Sequence, residues 1–281
     1  MQNRTFRVPV LVAAIALGLA ACAPAAKQPT AQAPTEAPAG VQLPPTHTPE
    51  PTATPSGPSL IYLAFGDSWP YGAHCNGCRP FPALYADALI ATTDHRIDFV
   101  NLTTNGGTSQ SLLESFQTSQ KTREAVISAD IIVISTGAND LEPAFDRYAN
   151  GTCGGADQLD CFRKVAEGWR ISFDGILTEI EALRQGKPTA IRLVTNSNEA
   201  LSDPGLIDLF GPEFGLGGGA VITALHHDVL CEVAAKHGAT CVDLRPVLNG
   251  PSFDKPQDVN TQEAMQAVAD ALLASGLDEP R

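Results

Sequence analysis

The chain has 281 residues, of which 43% are hydrophobic and 17% are charged, and its formal net charge is −13 at pH 7. The acidic excess lies after residue 58, where 15 Lys and Arg residues face 29 Asp and Glu residues. Because this acidic region contains no basic stripe, we expect no nucleic-acid partner.

The first 21 residues have the pattern of an export signal. Arg4 and Arg7 precede an apolar run from Val8 to Ala21, which is short for a membrane span. The run ends in Leu19-Ala20-Ala21-Cys22, which resembles the lipobox of bacterial lipoproteins. That resemblance implies cleavage before Cys22 and lipidation of it, so that an exported protein is anchored to the bacterial cell membrane with its domain outside the cytoplasm. The alternative is an ordinary signal peptide with a chance cysteine.

Residues 22–58 have the composition of a tether. Ten of the 22 prolines fall between residues 23 and 58, mixed with Ala, Thr and Gln, and large apolar residues are almost absent. Such a segment cannot build a core, so we expect it to be extended and disordered, with a reach on the order of 100 Å. The remaining residues, 59–281, suit one α/β domain.

Six cysteines remain when Cys22 is set aside, and an even number in an exported domain suggests disulfides. Sequence alone does not fix their connectivity, and we predict local pairs. The alternative for the Cys-Asn-Gly-Cys stretch is a redox or metal half-site, but no second such motif and no suitable His and Cys set completes a zinc site. The predicted pairs are Cys75 with Cys78, Cys153 with Cys161, and Cys231 with Cys241.

Strand and helix patterns alternate through the domain. Apolar runs with strand composition lie near residues 60–65, 97–102, 130–136, 189–195 and 239–244. Helical periodicity appears at residues 81–90, 112–116, 161–185 and 221–237, and again after Asn260, where Glu263 suggests a capping box. This alternation predicts a five-stranded parallel sheet with helices on both faces, a three-layer α/β/α sandwich.

Three of the predicted strands end in residues that can do chemistry. The first ends in Gly66-Asp67-Ser68, the second leads to Gly106, and the third leads to Asn139. Because the ends of parallel strands meet at one edge of a sheet, Ser68 can act there as a nucleophile. The N–H groups of Ser68 and Gly106 and the amide of Asn139 would form an oxyanion site. Each residue taken singly also suits a turn or a helix cap.

Together these stretches resemble the GDSL or SGNH hydrolase family. Gly66-Asp67-Ser68 matches the first block, residues 101–108 look like the second, and Gly137-Ala138-Asn139-Asp140 matches the Gly-x-Asn-Asp of the third. The resemblance extends from residue 60 to about 273 and implies a flavodoxin-like sandwich that hydrolyses esters. It implies Ser68 as nucleophile and Gly106 and Asn139 as oxyanion donors, with no metal or organic cofactor. The exported, disulfide-rich character is similar to the extracellular esterases of that family.

The last block of the family, Asp-x-x-His before the final helix, has no counterpart. Alignment of that helix places Pro256 at the position of the aspartate and Val259 at the position of the histidine. No histidine follows His237, so the usual general base is missing from its expected place.

Other residues are candidates for the base. Asp258 or Asp254 would serve if burial raised its pKa, and His74 would serve if its loop folded over Ser68. A weak enzyme, an inactive relative and an unusual base are all open. The histidines on the helix after the fourth strand are expected to be surface or packing residues: His226, His227 and His237.

A long segment, residues 196–219, lies between the fourth strand and its helix and carries several large apolar residues. We expect it to wall the acyl or leaving-group side of the crevice, and the alternative is a separate apolar cluster packed on the domain.

The predicted function is hydrolysis of carboxylic esters, of the esterase, lipase or deacetylase type, through an acyl-enzyme on Ser68. The expected substrate is a small-molecule ester, an acylated glycan or a lipid. One rival is a catalytically impaired lipoprotein that uses the same crevice to bind an ester or a glycan. Another is a thiol redox protein that uses Cys75 and Cys78.

Overall fold

The structure is a computed structural model, and it describes residues 57–276. The predicted signal peptide, the lipidation site at Cys22 and nearly all of the tether lie outside the described residues. Among the helices of the described part, none combines the length and the hydrophobicity that a membrane span needs.

Five parallel strands form one sheet within the described residues, in the order β2-β1-β3-β4-β5. β1 therefore lies between β2 and β3, and its last residue, Gly66, pairs with Ser135 at the end of β3. The predicted five-stranded parallel sheet is confirmed, with each strand within a few residues of its expected place. The strands are β1 Ser59–Gly66, β2 Arg96–Asn101, β3 Ile131–Ser135, β4 Ala190–Val194 and β5 Thr240–Val242.

Helices cover both faces of this sheet, as the alternation of side chains along β1 requires. Leu63 and Phe65 pack on one face, and Tyr62 and Ala64 pack on the other. The helices are α1 Ser68–Tyr71, α2 Phe81–Thr92, α3 Ser109–Thr118, α4 Gln120–Ser128, α5 Glu142–Ala149, α6 Asp160–Arg184, α7 Pro204–Phe210, α8 Ala220–Lys236, α9 Arg245–Asn249 and α10 Gln262–Ala274. Helices α3, α4, α6 and α8 bury side chains on the Leu63 face, and α2, α9 and α10 bury theirs on the Tyr62 face.

The start of α10 differs from the sequence prediction. The N-cap is Thr261, not Asn260, and the Thr261 hydroxyl accepts a hydrogen bond from the Ala264 N–H. Glu263 therefore occupies the second helical position and does not close a capping box. Its carboxylate instead lies in the first turn, where the positive end of the helix dipole favours a negative charge.

The six cysteines of the domain form three disulfides in the structure, and they are the three local pairs expected from the sequence. Cys75 and Cys78 close the loop that follows α1, and Cys75 is buried in the core. Cys231 joins α8 to Cys241 in β5. A redox function at Cys75 and Cys78 would therefore start from a closed pair.

The segment after β4 is largely helical, although the sequence analysis treated it as a long loop. It contains a 3-10 turn at Glu199–Leu201, helix α7, and a π-helical turn at Gly215–Gly219. Phe210 and Phe214 pack against each other, with ring centroids 4.7 Å apart, and both contact Phe145 on α5. Phe214 belongs to the core on the Leu63 face, and Phe145 and Phe210 pack against that core, so these residues do not form a separate apolar cluster.

Candidate active site

The β1 turn, residues 66–68, holds Ser68 at the carboxyl edge of the sheet. Asp67 caps α1: its carboxylate accepts a hydrogen bond from the Trp69 N–H at 3.3 Å, its own N–H donates to the Ser135 carbonyl at 3.2 Å, and the backbone N–H groups of Gly137 and Ala138 also favour its charged form. Burial raises the pKa of Asp67 to about 6, although the N–H groups of Trp69, Gly137 and Ala138 limit the rise. The turn that carries Ser68 is thereby fixed against the end of β3.

The β2 loop, residues 102–108, lies beside the same turn. The Thr104 N–H donates to the Gly66 carbonyl at 2.8 Å, and the Gly107 N–H donates to the Thr104 carbonyl at 3.0 Å. Gly106 is exposed, with a φ of +78° that favours glycine, and a Cβ there would meet nothing within 4 Å. Its N–H can therefore face an open crevice.

The β3 loop, residues 136–140, is hydrogen-bonded to the β2 loop. Asn139 Nδ2 donates to the Gly107 carbonyl at 2.8 Å. Asp140 accepts the Ser109 N–H at 2.9 Å and the Ser109 hydroxyl at 2.6 Å, which secures the start of α3. An amide nitrogen carries two N–H bonds, so Asn139 keeps a second donor after binding Gly107.

Hydrogen bonds thus join the three loops that the sequence analysis placed at one edge. Within residues 57–276, no hydrogen bond occupies the Ser68 hydroxyl or the N–H groups of Ser68 and Gly106. Together with the second N–H of Asn139, these groups can act as a nucleophile and three oxyanion donors. Their catalytic roles stay predictions.

The base loop, residues 254–261, reaches the site without a histidine. Trp69 Nε1 donates to the Val259 carbonyl at 3.0 Å, and Val259 is 4% exposed. The residue at the expected histidine position therefore contacts the neighbour of Ser68 but carries an aliphatic side chain.

The base candidates named from the sequence lie at the surface. Asp258 is exposed, and its Oδ1 accepts the Asn260 N–H at 2.9 Å, which forms a local turn. Asp254 and His74 are exposed as well. None of the three is held in a buried position beside Ser68.

The histidines of α8 and its end are packed or paired, as expected. His226 is 1% exposed, and its Nδ1 accepts the Asn196 N–H at 3.1 Å, so its Nε2 donates to the Thr136 carbonyl at 3.2 Å. Burial lowers the pKa of His226 to about 4, and the ring is neutral at pH 7. His227 pairs with Asp228 and Asp243, and His237 with Asp174 and Glu181.

Glu199 is a site residue that sequence reasoning missed. Its carboxyl has no hydrogen bond or ion pair to any residue of the described chain. Burial raises the pKa of Glu199 to about 7, and the charges of Asp67 and Asp203 add to the rise. Its position in the sequence could have identified it as a site residue, because Glu199 is the first acidic residue after the carboxyl end of a predicted strand.

Glu199 lines a cavity of about 110 Å³ between the β3 loop and the segment after β4. Ala138 and His226 are at the same cavity, and the remaining walls are largely apolar. Residues from both halves of the segment after β4 line this cavity, and the expectation that the segment walls the acyl or leaving-group side of the crevice stays a prediction. The apolar lining residues are Leu141, Phe145, Ala200, Leu206, Phe214 and Ile222.

The fold is shared with solved hydrolases of low sequence identity. A lipase, Lip_vut3, from a goat rumen metagenome superposes with a TM-score of 0.64 at 18% identity, covering 79% of this chain and 100% of that one. An extracellular lipase from Streptomyces rimosus has a TM-score of 0.54 at 16% identity, covering 77% and 100%. A phospholipase A1 from Streptomyces albidoflavus NA297 has a TM-score of 0.50 at 16% identity, covering 77% and 99%.

At these identities the likeness establishes the fold alone, and it confirms the α/β fold expected of SGNH hydrolases. No curated protein matches the chain. Residues 64–263 match the model of the GDSL-like lipase/acylhydrolase family, which spans all three loops and the base loop. The chain belongs to the GDSL-like lipase/acylhydrolase family.

Proposed function

We propose that the protein is a serine hydrolase that cleaves carboxylic esters, with Ser68 as its nucleophile. The observation that carries this proposal is the 2.8 Å bond from Asn139 Nδ2 to the Gly107 carbonyl. It holds the Asn139 amide next to the β2 loop, so that its second N–H and the unoccupied N–H groups of Gly106 and Ser68 can serve one oxygen. Membership of a lipase and acylhydrolase family supports ester hydrolysis as the class of reaction.

The reaction follows from these groups. Ser68 Oγ attacks the ester carbonyl carbon, and the negative charge that develops on the carbonyl oxygen is stabilised by the three donors. Each donor contributes roughly 3–4 kcal/mol to a transition state of this kind. Loss of the alcohol leaves an acyl group on Ser68, and water then hydrolyses that acyl-enzyme.

The substrate is proposed to be a small-molecule ester, an acylated glycan or a lipid. Lipids gain support because two of the solved structures with this fold are named lipases and a third is named a phospholipase A1. We further propose that the protein is exported and held at the bacterial cell membrane through Cys22, on the basis of its N-terminal sequence. An anchored domain would meet acylated lipids and glycans at that surface.

One observation favours a second function. Val259 occupies the expected position of the base histidine, and a serine site without its base retains only part of its rate. A catalytically impaired protein that binds an ester or a glycan at the same edge would need no base.

Hydrolysis of p-nitrophenyl acetate by the purified full-length chain separates the two functions. We expect hydrolysis above background, and we expect Ser68→Ala to reduce it to background, because this change removes the proposed nucleophile. Ser128→Ala is the matched control, since Ser128 is an exposed serine on α4. Equal rates for the wild type and Ser68→Ala, both at background, would favour the binding protein.

A further inference from the structure

We propose that the carboxylate of Glu199 accepts the proton of Ser68 during ester cleavage, in place of the missing histidine. This role rests on the proposed ester hydrolysis. Nothing in the sequence pattern of the last family block points to Glu199, which lies some 60 residues earlier, in the segment after β4.

The first support is the position of Glu199 relative to the β1 turn. Glu199 and Ala138 line one cavity, and the Ala138 N–H stabilises the charged form of the Asp67 carboxyl. Asp67 directly precedes Ser68, and its charge acts on Glu199. One residue of the β3 loop thus connects the cavity that contains Glu199 to the turn that carries the nucleophile.

The second support comes from the other side of the crevice, at the base loop. The 3-10 turn that begins at Glu199 is followed by Ser202, whose hydroxyl donates to the Gln257 carbonyl at 2.7 Å. Two residues beyond Gln257, the Val259 carbonyl accepts the indole N–H of Trp69. The turn of Glu199 is therefore bonded to the same loop that should have supplied the histidine.

The third support is the chemical state of the side chain. A solvated carboxylate is a weak base for an alcohol at pH 7, whereas a general base works best with a pKa near the operating pH. Glu199 is half-buried, no cation or hydrogen-bond donor among residues 57–276 neutralises it, and desolvation raises its pKa to about 7. The exposed Asp258 has no such environment, and both nitrogens of His226 are already engaged.

Glu199 alone can accept and return the proton at each step of the reaction. As the bond from Ser68 Oγ to the ester carbon forms, the hydroxyl proton passes to the Glu199 carboxylate. The resulting carboxylic acid protonates the leaving alkoxide when the carbon–oxygen bond of the ester breaks. In the second half, water gives a proton to Glu199 as it attacks the acyl-enzyme, and Glu199 returns that proton to Ser68 Oγ.

The test compares Glu199→Gln with Glu213→Gln in the full-length chain, with p-nitrophenyl acetate as substrate at pH 8. Glu213 is an exposed glutamate of the same segment, so the second variant makes the same chemical change outside the cavity. We expect Glu199→Gln to lower kcat by about 10²- to 10⁴-fold with KM nearly unchanged, the usual range for a lost general base. Glu213→Gln should retain the wild-type rate, and equal unfolding midpoints in urea would exclude a folding defect.

The pH profile separates a base from a merely structural glutamate. The wild-type kcat/KM should rise through about pH 7 as Glu199 loses its proton, and Glu199→Asp should keep that rise at a lower rate. The groups that face Glu199 are the carboxyls of Asp67 and Asp203 and the neutral ring of His226. In Glu199→Gln, the rise of kcat/KM near pH 7 should vanish. Any effect of the ionisation of Asp67 near pH 6 should remain, because the wild type and the variant both contain Asp67.

Two outcomes overturn distinct claims. If Ser68→Ala abolishes hydrolysis while Glu199→Gln retains the wild-type rate and pH profile, the ester hydrolase stands and Glu199 is not its base. If Ser68→Ala and Glu199→Gln both match the wild type, the proposed ester hydrolysis by Ser68 itself fails.

Discussion

The two sides of the crevice differ in how closely they match the family pattern. On the oxyanion side, the β2 and β3 loops keep the family pattern, and Asn139 and Asp140 are hydrogen-bonded to Gly107 and Ser109. On the base side, the buried Val259 occupies the expected histidine position, and the carboxyl of Glu199 at the cavity has no hydrogen bond or ion pair within residues 57–276.

This difference shows which parts of a serine site tolerate change. Oxyanion donors are largely backbone N–H groups, so their positions depend on turn geometry shared by the whole fold. A general base is one side chain, which any element near the nucleophile can supply, provided that its pKa suits the reaction. We therefore expect the residues of the oxyanion side to have the roles that they have in the family. On the base side we expect a different residue to act as the general base.

Among variants that keep Ser68 and Glu199, the largest effect should come from breaking the oxyanion side at Asn139. Asn139→Ala should lower kcat for p-nitrophenyl acetate by about 10²- to 10³-fold, because one of three donors to the developing oxyanion is lost. The unfolding free energy should fall by only about 1 kcal/mol, the contribution of its bond to Gly107. Steady-state kinetics and urea unfolding of the full-length chain measure both quantities.

The control for that variant is Asn150→Ala, which removes an exposed amide that binds a carbonyl at the end of α5. It should leave kcat unchanged. Equal kcat values for the two alanine variants would mean that Asn139 is only a link between loops.

On the base side, Glu199→Gln should have a smaller effect, on the free energy of unfolding. The pKa of Glu199 rises from 4.5 to about 7 on folding, so the folded chain binds this proton more tightly than the unfolded chain. Its contribution is therefore most favourable below about pH 4.5 and is lost as the pH rises through 7. Glu199→Gln cannot ionise, and at pH 8 it should be more stable than the wild type by about 3 kcal/mol.

Urea unfolding at pH 4.5 and pH 8 checks this sign, with Glu213→Gln as the reference variant. At pH 4.5 the three proteins should have similar unfolding free energies, because Glu199 is protonated when folded. A Glu199→Gln variant that is less stable than the wild type at pH 8 would show that the carboxylate has a stabilising partner.

The residues of the oxyanion side were predictable from the sequence because local patterns mark them. Gly66-Asp67-Ser68, Gly106 and Asn139 each follow a strand whose end is marked by glycine or a turn residue, and parallel strands bring such ends together. The three disulfides were also predictable because the partners are close in sequence. Local patterns therefore carried the sheet, the pairing of cysteines and the nucleophile turn.

The base side was not predictable in the same way. Glu199 is set apart by the cavity that it shares with Ala138 and by the charge of Asp67, two residues that are distant in sequence, and by desolvation, which no local pattern reports. Helix α7 within the same segment was missed although Asp203 caps it and Pro204 begins it, which is a recognisable start signal.

The claim on which the rest depends is that Ser68 is a nucleophile activated for attack on acyl carbon. Intact-protein mass spectrometry after treatment of the full-length chain with a p-nitrophenyl alkylphosphonate at pH 8 tests it directly. The account predicts one phosphonyl adduct per molecule, located on the peptide that contains Ser68 and absent from Ser68→Ala. No adduct on the wild type, or an adduct that persists in Ser68→Ala, would contradict it.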